Sequence, residues 1–269
     1  MFGTLISCNQ SNAKVSPEVT TTNTREYLGA DFTGWEVAVG DGVYAAPGES
    51  PVSDNDIETV NHGDHSELLA NVQQRGVMAH NITFKRVVEE NAFDFVYSGG
   101  YKFRLPYLPS ISNTDLNAQT LEGGMFIWDG GNTRLDYGMA FQWMLNPWGD
   151  ENVEFGDIQC WTVIEGGKWQ KIGFLQPDTS WHELRMVLDF RRQMTSLIID
   201  NKHYPSQFTG TPKPETWSTQ TEPGLQAEII SIYPGEQGKG ALHKAEFQDW
   251  FWIWELYSSC KTFLPIALS

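Results

Sequence analysis

The chain has 269 residues, 40% of them hydrophobic and 13% aromatic, with 11 tryptophans, which is enough apolar material for a sizeable core without disulfide or metal staples. Its 34 acidic residues outnumber 18 basic ones for a net charge of -16; a surface this acidic repels phosphate backbones and anionic membranes, so nucleic acid is excluded as a partner class. Cys8, Cys160 and Cys260 form neither a CxxC pair nor a Cys/His cluster, and no apolar run reaches the roughly 18 residues of a transmembrane segment.

Residues 1–27 are polar and rich in Ser, Thr and Asn, and predict a flexible N-terminal arm. Within it, Leu5-Ile6-Ser7-Cys8 resembles the lipobox at which bacterial lipoproteins are lipidated. Residues 9–24 would then be a surface tether, favouring an extracellular or surface-lipoprotein location over the cytoplasm. Order is expected to begin between Tyr27 and Trp35. Residues 40–66 carry Gly, Pro, Asp and Ser with few apolar positions and read as a long loop. A brief helix is expected over 66–74, ended by Gly76.

From residue 80 onward the hydrophobic period is two. Leu135, Tyr137, Met139, Phe141, Trp143 and Leu145 share one face of a strand; Arg134, Asp136, Gly138, Ala140, Gln142 and Met144 share the other. Residues 181–190 alternate the same way, with His182, Leu184, Met186, Leu188 and Phe190 on the apolar side. Further strands are expected at 81–88, 93–97, 101–105, 122–129, 157–164, 168–175, 195–200, 225–233 and 244–257, separated by Gly, Pro, Asn and Asp. Many strands joined by short turns predict an all-β fold, a two-sheet antiparallel β-sandwich of the jelly-roll kind. Its body would span 28–257, followed by a C-terminal tail, 258–269.

Two segments carry a family resemblance. Trp181-His182 opens an alternating strand that leads through a tight turn to Thr195–Asp200, a second strand ending in Ile199-Asp200-Asn201. This pattern resembles the concanavalin A-like lectin/glucanase superfamily. The stretch from Ala245 to Glu255 resembles the closing strand of its laminin-G-like members, with Asp31–Trp35 as the expected edge partner. The resemblance implies a carbohydrate-recognising jelly roll, and possible calcium at Asp249 and Asp31. The superfamily's glucanases carry Glu-x-Asp-x-x-Glu on one strand, where carboxylates flank the scissile bond. Here the nearest acidic run, Glu89 to Asp94, has the wrong spacing. Tyr101-Lys102-Phe103-Arg104 only hints at a lyase motif.

Candidate site residues follow from strand parity. Arg134, Asp136 and Gln142 leave one strand together, with Gly138 and Ala140 as a gap between them. Glu183 and Arg185 leave a second strand, Gln159 and Trp161 a third. On neighbouring strands these would form a concave polar face with an aromatic platform, suited to stacking and bidentate hydrogen bonding of a sugar. The competing reading is a solvated sheet with cross-strand ion pairs such as Arg134 with Glu183. Glu122 and Trp128 share a face beside Gly123 and Gly124, glycines that more often mark a bulge. His80 is a candidate base, whereas His182 on the apolar face reads as core. His62 and His65 sit in the acidic loop Asn61–Glu67, which offers metal ligands although such loops commonly bind only water.

The expected function is therefore binding of, or action on, polysaccharide, with Asp136, Glu183, Glu122 and His80 as catalytic candidates. Arg134, Gln142, Trp161, Arg185 and Trp128 are the ligand-binding candidates. If catalytic, the protein would be lyase-like or a hydrolase, and lyase chemistry fits better than retaining hydrolysis. Arg to neutralise a uronate and His or Tyr to take a proton are available, whereas Glu122, Asp136 and Glu183 would flank a bond only through strand pairing. The rivals are a small-molecule cyclase or isomerase using Asp136 beneath Trp143 and Trp161, and a structural surface protein. No nucleotide, nicotinamide or Ser-hydrolase motif is present.

Overall fold

The computed structural model describes residues 24–39, 57–70, 78–109, 119–129, 132–145, 152–164, 169–207, 220–232 and 244–256. The lipobox-like motif, Cys8, Cys260 and the expected C-terminal tail lie outside the described residues. So do the side chains of Arg134 and Asp136.

The described residues form fifteen strands: β1 (Thr24–Gly29), β2 (Glu36–Val39), β3 (Ile57–Asn61), β4 (Ser66–Ala70), β5 (Met78–Arg86), β6 (Phe95–Arg104), β7 (Gln119–Asp129), β8 (Asn132–Met144), β9 (Asp157–Ile164), β10 (Trp169–Phe174), β11 (His182–Asp189), β12 (Met194–Ile199), β13 (Lys202–Gln207), β14 (Thr221–Ile232) and β15 (Lys244–Leu256). Among them there is no α-helix, and no helix long and apolar enough to cross a membrane. The strands make two antiparallel sheets. The eight-stranded sheet runs β13-β12-β11-β6-β15-β4-β3, with β1 also on β15; the seven-stranded sheet runs β10-β9-β8-β7-β14-β5-β2. The fold is thus the expected two-sheet sandwich.

Each sheet turns one alternating set of side chains inward. From the eight-stranded sheet come Tyr97, Tyr101 and Phe103 of β6, Leu184, Met186 and Leu188 of β11, and Trp252 and Trp254 of β15. From the other come Leu121 and Met125 of β7, Met139, Phe141 and Trp143 of β8, and Leu225, Ala227 and Ile229 of β14. His182 lies in this core, packed on Phe103 and Trp143, with Nδ1 2.7 Å from an Asp200 carboxylate oxygen. Cys160 is a free, buried thiol, pushed up to about 12 by burial.

The closing strand β15 places more aromatics inward than strict alternation allows. Ala245 and Phe247 face the core at odd positions, Trp250, Trp252 and Trp254 at even ones. The switch is a bulge between Gln248 and Phe251 in the pairing with β6, where Asp249 takes φ 53. The extra residue resets the pleat, so both halves of the strand bury their apolar side.

Four local expectations are corrected. The helix over 66–74 is in its described part strand β4, whose Ser66, Leu68 and Ala70 are buried in alternation; pairing with β3 and β15 overrides the helix propensity of Glu67, Leu68, Leu69 and Ala70. The loop expected over 40–66 contains β3. The edge partner of β15 is β1, which pairs from Thr24↔Glu255 to Gly29↔Trp250, so order begins inside the expected arm, and Asp31–Trp35 is a turn. The expected strands 93–97 and 101–105 are one strand, β6. Gly99 and Gly100 lie within it; a Cβ on Gly100 would stand 2.0 Å from the Leu184 carbonyl oxygen, so the glycine serves close strand approach.

Truncating Trp252, fully buried at 0% exposure, is expected to destabilise the fold by about 3–5 kcal/mol. Leu256→Ala, at a residue 42% exposed, should change stability by no more than about 0.5 kcal/mol. Urea unfolding of both variants measures the contrast; equal losses would contradict the packing of β15.

Candidate functional site

The face of the seven-stranded sheet that points away from the core carries an unusual set of side chains. Directly opposed residues in an antiparallel pair share a face, so the pairings define rows across it. One row runs Ile82, Glu228, Glu122, Gln142, Gln159, Lys171; its neighbour runs Phe84, Gln226, Gly124, Ala140, Trp161, Trp169. A polar row thus lies beside a row that ends in two tryptophans.

The polar row is a hydrogen-bonded carboxyl network. Glu122 on β7 faces Glu228 on β14. Gln142 Nε2 donates to Glu122 Oε2 at 2.7 Å, and Gln226 Nε2 donates to Glu228 Oε2 at 2.7 Å. His80 Nδ1 meets the other Glu228 oxygen, from one strand further along the sheet. Glu122 is 9% exposed, Glu228 3% and His80 8%. Burial, and next the charge of Glu228, hold the Glu122 carboxyl well above the usual carboxylate range, with the Gln142 amide opposing. Two facing carboxyls, one favoured as the neutral acid and the other braced by histidine and amide, are the arrangement general acid–base chemistry uses.

The aromatic part is seated on glycines. Phe126 lies over Gly124 and Gly138, where added Cβ atoms would stand 2.1 and 2.6 Å from its ring; Trp128 lies over Gly224, at 2.1 Å. Phe126, Trp128 and Ala140 form a small buried cluster on this outer face, with half-buried Trp161 against it. Trp169, directly opposite Trp161, is 37% exposed. The face therefore opens toward β9 and β10 and closes toward β14. Among the described residues its cations sit at the ends and are paired: Arg86 with Glu222 at 3.1 Å, Lys171 with Asp157 at 2.7 Å.

This arrangement redraws the expected site. Glu122, His80, Gln142, Trp128 and Trp161 come together on one face. Glu183 and Arg185 do not join them: β11 belongs to the eight-stranded sheet and both point away from its core, so they lie on the opposite side of the sandwich from Gln142. The expectation that β8 and β11 are neighbours sharing one cleft is corrected accordingly, because alternation defines a face but not a sheet; the Arg134 side chain lies outside the described residues. The gap read at Gly138 and Ala140 is filled by Phe126. Gly123 and Gly124 are not a bulge either; β7 keeps regular register there and shifts only beyond Ile127. Glu228, Gln226 and Trp169 were missed. The parity of β14, with Leu225, Ala227 and Ile229 alternating against Gln226 and Glu228, was the available signal.

Asp31 and Asp249 lie near one another, since Asp249 N–H donates to the Ala30 carbonyl at 3.1 Å. Their carboxylates are engaged: Asp31 accepts from the Thr33 and Gly63 N–H groups at 3.0 and 2.8 Å, and Asp249 pairs with Lys102 Nζ at 2.8 Å. An ammonium thus stands beside Asp249 and two amide N–H groups beside Asp31.

No family model and no curated protein matches the chain in sequence. Among solved structures it is similar to the CBM2 module of the evolved Dit of Lactobacillus casei BL23 phage J-1, at TM-score 0.53 and 10% identity over 88% of this chain and 98% of that one. A lectin from Bauhinia forficata in complex with GalNAc aligns at TM-score 0.49 and 9% identity, covering 87% and 100%. A Bacillus subtilis protein of unknown function with a galectin-like fold aligns at 0.46 and 10%, covering 84% and 90%. The fold is a two-sheet antiparallel sandwich of the jelly-roll kind, and likeness at this identity speaks to fold alone.

A carboxyl whose pKa is raised by folding contributes its stability in the protonated form and loses it as pH rises from the unfolded value, here near 4.5, through the folded one. Glu122→Gln is therefore expected to melt several degrees above wild type at pH 8, with the gap closing at pH 4.5. Thermal melts at both pH values measure it, and a gap of the same size at both would show that Glu122 is not held as the neutral acid.

Proposed function

We propose that the outer face of the seven-stranded sheet recognises a carbohydrate and that the Glu122–Glu228 pair cleaves a glycosidic bond in it. The observation that carries this reading is the facing carboxyl pair, with Glu122 held neutral, one row from Trp161 and Trp169. A pyranose stacks its C–H face on tryptophan while its hydroxyls reach toward Gln142 and Gln159. Glu122 protonates the leaving oxygen as a Glu228 carboxylate oxygen bonds to the anomeric carbon, and water then releases the sugar from Glu228 by giving its proton back to Glu122. The CBM2 module of the phage J-1 evolved Dit shares the architecture, which supports the carbohydrate reading.

A hydrolase fits this face better than a lyase. A lyase acting on uronates needs an unpaired cation at the sugar carboxylate, whereas the described cations of the face are already paired with carboxylates. The carboxyl network instead favours neutral sugars. One observation favours a second reading: Glu122 and Glu228 are nearly sealed, which suits a small molecule in an acid–base isomerase more than a polymer.

A glycan array run beside reducing-sugar and 235-nm absorbance assays on mixed polysaccharides tests these readings. The expected result is binding of neutral glycans and release of reducing ends without absorbance gain. Glu122→Gln should lower turnover by at least about 100-fold, the contribution of a general acid, while leaving binding within a few-fold. Trp161→Ala should weaken binding by roughly 10-fold, about 1.4 kcal/mol. Binding without release would leave recognition and remove the catalytic step; neither binding nor release would remove the carbohydrate reading.

A further inference from the structure

We propose that the turn joining β3 to β4 is a binding site for a divalent transition metal, with His62, His65 and Glu67 as its three protein ligands. One ligand atom from each of these residues lies within 4.8 Å of the others. Around zinc, bonds of about 2.0–2.2 Å to imidazole and carboxylate place tetrahedral ligand atoms roughly 3.4 Å apart. A contraction of about an ångström, within reach of small side-chain rotations, closes the site.

The geometry is poorly explained by the residues' interactions with one another. His62 Nε2 and Glu67 Oε2 are 3.9 Å apart, too far for a hydrogen bond. The two imidazoles stack nearly parallel, with centroids 4.5 Å apart and planes at 17°. A single cation bound by both rings and the carboxylate would hold the three groups together.

The surroundings match what a metal ligand set requires. His65 Nδ1 lies 2.7 Å from Asp64 Oδ1. A carboxylate at Nδ1 fixes the tautomer and leaves the Nε2 lone pair for a metal, the usual outer partner of a ligating histidine. Glu67 is oriented by Lys244, whose Nζ sits 3.1 Å from Oε1 and leaves Oε2 toward His62. The turn itself is pinned. His62 N–H donates to the His65 carbonyl at 2.9 Å, Gly63 adopts φ 91, and the Gly63 N–H donates to Asp31 Oδ2 at 2.8 Å. Two imidazoles and one carboxylate suit zinc, nickel or copper over calcium or magnesium, which take oxygen shells. Three protein ligands leave a fourth position to water.

Cobalt(II) titration of the full chain tests the site, because tetrahedral nitrogen–oxygen cobalt gives visible ligand-field bands. One equivalent of cobalt is expected to produce these bands, and zinc to displace them. His62→Ala and His65→Ala should abolish the bands. Asp64→Asn, which keeps all three ligands, should weaken zinc binding by about 10–100-fold, and His203→Ala, at an exposed histidine elsewhere, should change nothing. No bands in the wild-type protein, or bands that persist in both histidine variants while circular dichroism shows them folded, would overturn the proposal.

Discussion

The hydroxyl of Tyr101 crosses the sandwich. It belongs to β6 in the eight-stranded sheet, and it donates to the Gln226 carbonyl of β14 at 3.1 Å, with the Glu122 carbonyl of β7 at 3.5 Å. It reaches them because the residue between is glycine: a Cβ on Gly123 would stand 1.9 Å from that oxygen. A buried hydroxyl must find a partner, and this one finds it on the two strands that bear the carboxyl pair. The tie fixes the distance between sheets where Glu122 and Glu228 face outward, so the position of the site depends on a residue of the other sheet.

The same strands are crowded from both sides, which explains their composition. Gly123 admits Tyr101 from within, while Gly124, Gly138 and Gly224 admit Phe126 and Trp128 from without. A sheet buried on both faces loses the simple inside-apolar, outside-polar pattern. β7 accordingly reads Leu121-Glu122-Gly123-Gly124-Met125-Phe126-Ile127-Trp128 and every one of these residues is buried. Glycine here is a packing device that lets rings lie flat against backbone.

This crowding marks the boundary of what was legible in sequence. The sandwich was legible because β8 and β11 alternate over long runs, and alternation follows directly from the pleat. The partition of strands between sheets was not, since parity is blind to which neighbour a strand takes; that is why Glu183 and Arg185 were grouped with Gln142 across a core that separates them. β4 was misread because its five residues carry good helix formers and too few positions for a period to declare itself. The bulge at Asp249 hid in Phe247–Trp254, where aromatics on both parities, Phe247 and Phe251 as well as Trp250, Trp252 and Trp254, conceal the change. Of the site, Glu122, His80, Gln142, Trp128 and Trp161 were individually legible, but Glu228 was not, because its importance comes only from standing opposite Glu122.

The carboxyl pair is then hard to account for by stability alone. One pleat away the same outer face buries Phe126, Trp128 and Ala140 as an apolar cluster, so the sheet can cover itself with hydrocarbon. At Glu122 and Glu228 it instead brings two carboxyls together out of water, an arrangement that disfavours ionisation of Glu122 and costs folding free energy once the pH exceeds the ordinary carboxylate range. Glutamine at either position would keep much of the volume and hydrogen bonding without the charge. A network of this kind, with an amide on Glu122 and an imidazole on Glu228, gives two chemically identical groups different partners and holds Glu122 above the usual carboxylate range. That asymmetry gives no packing advantage, and the proposed proton transfer would use it.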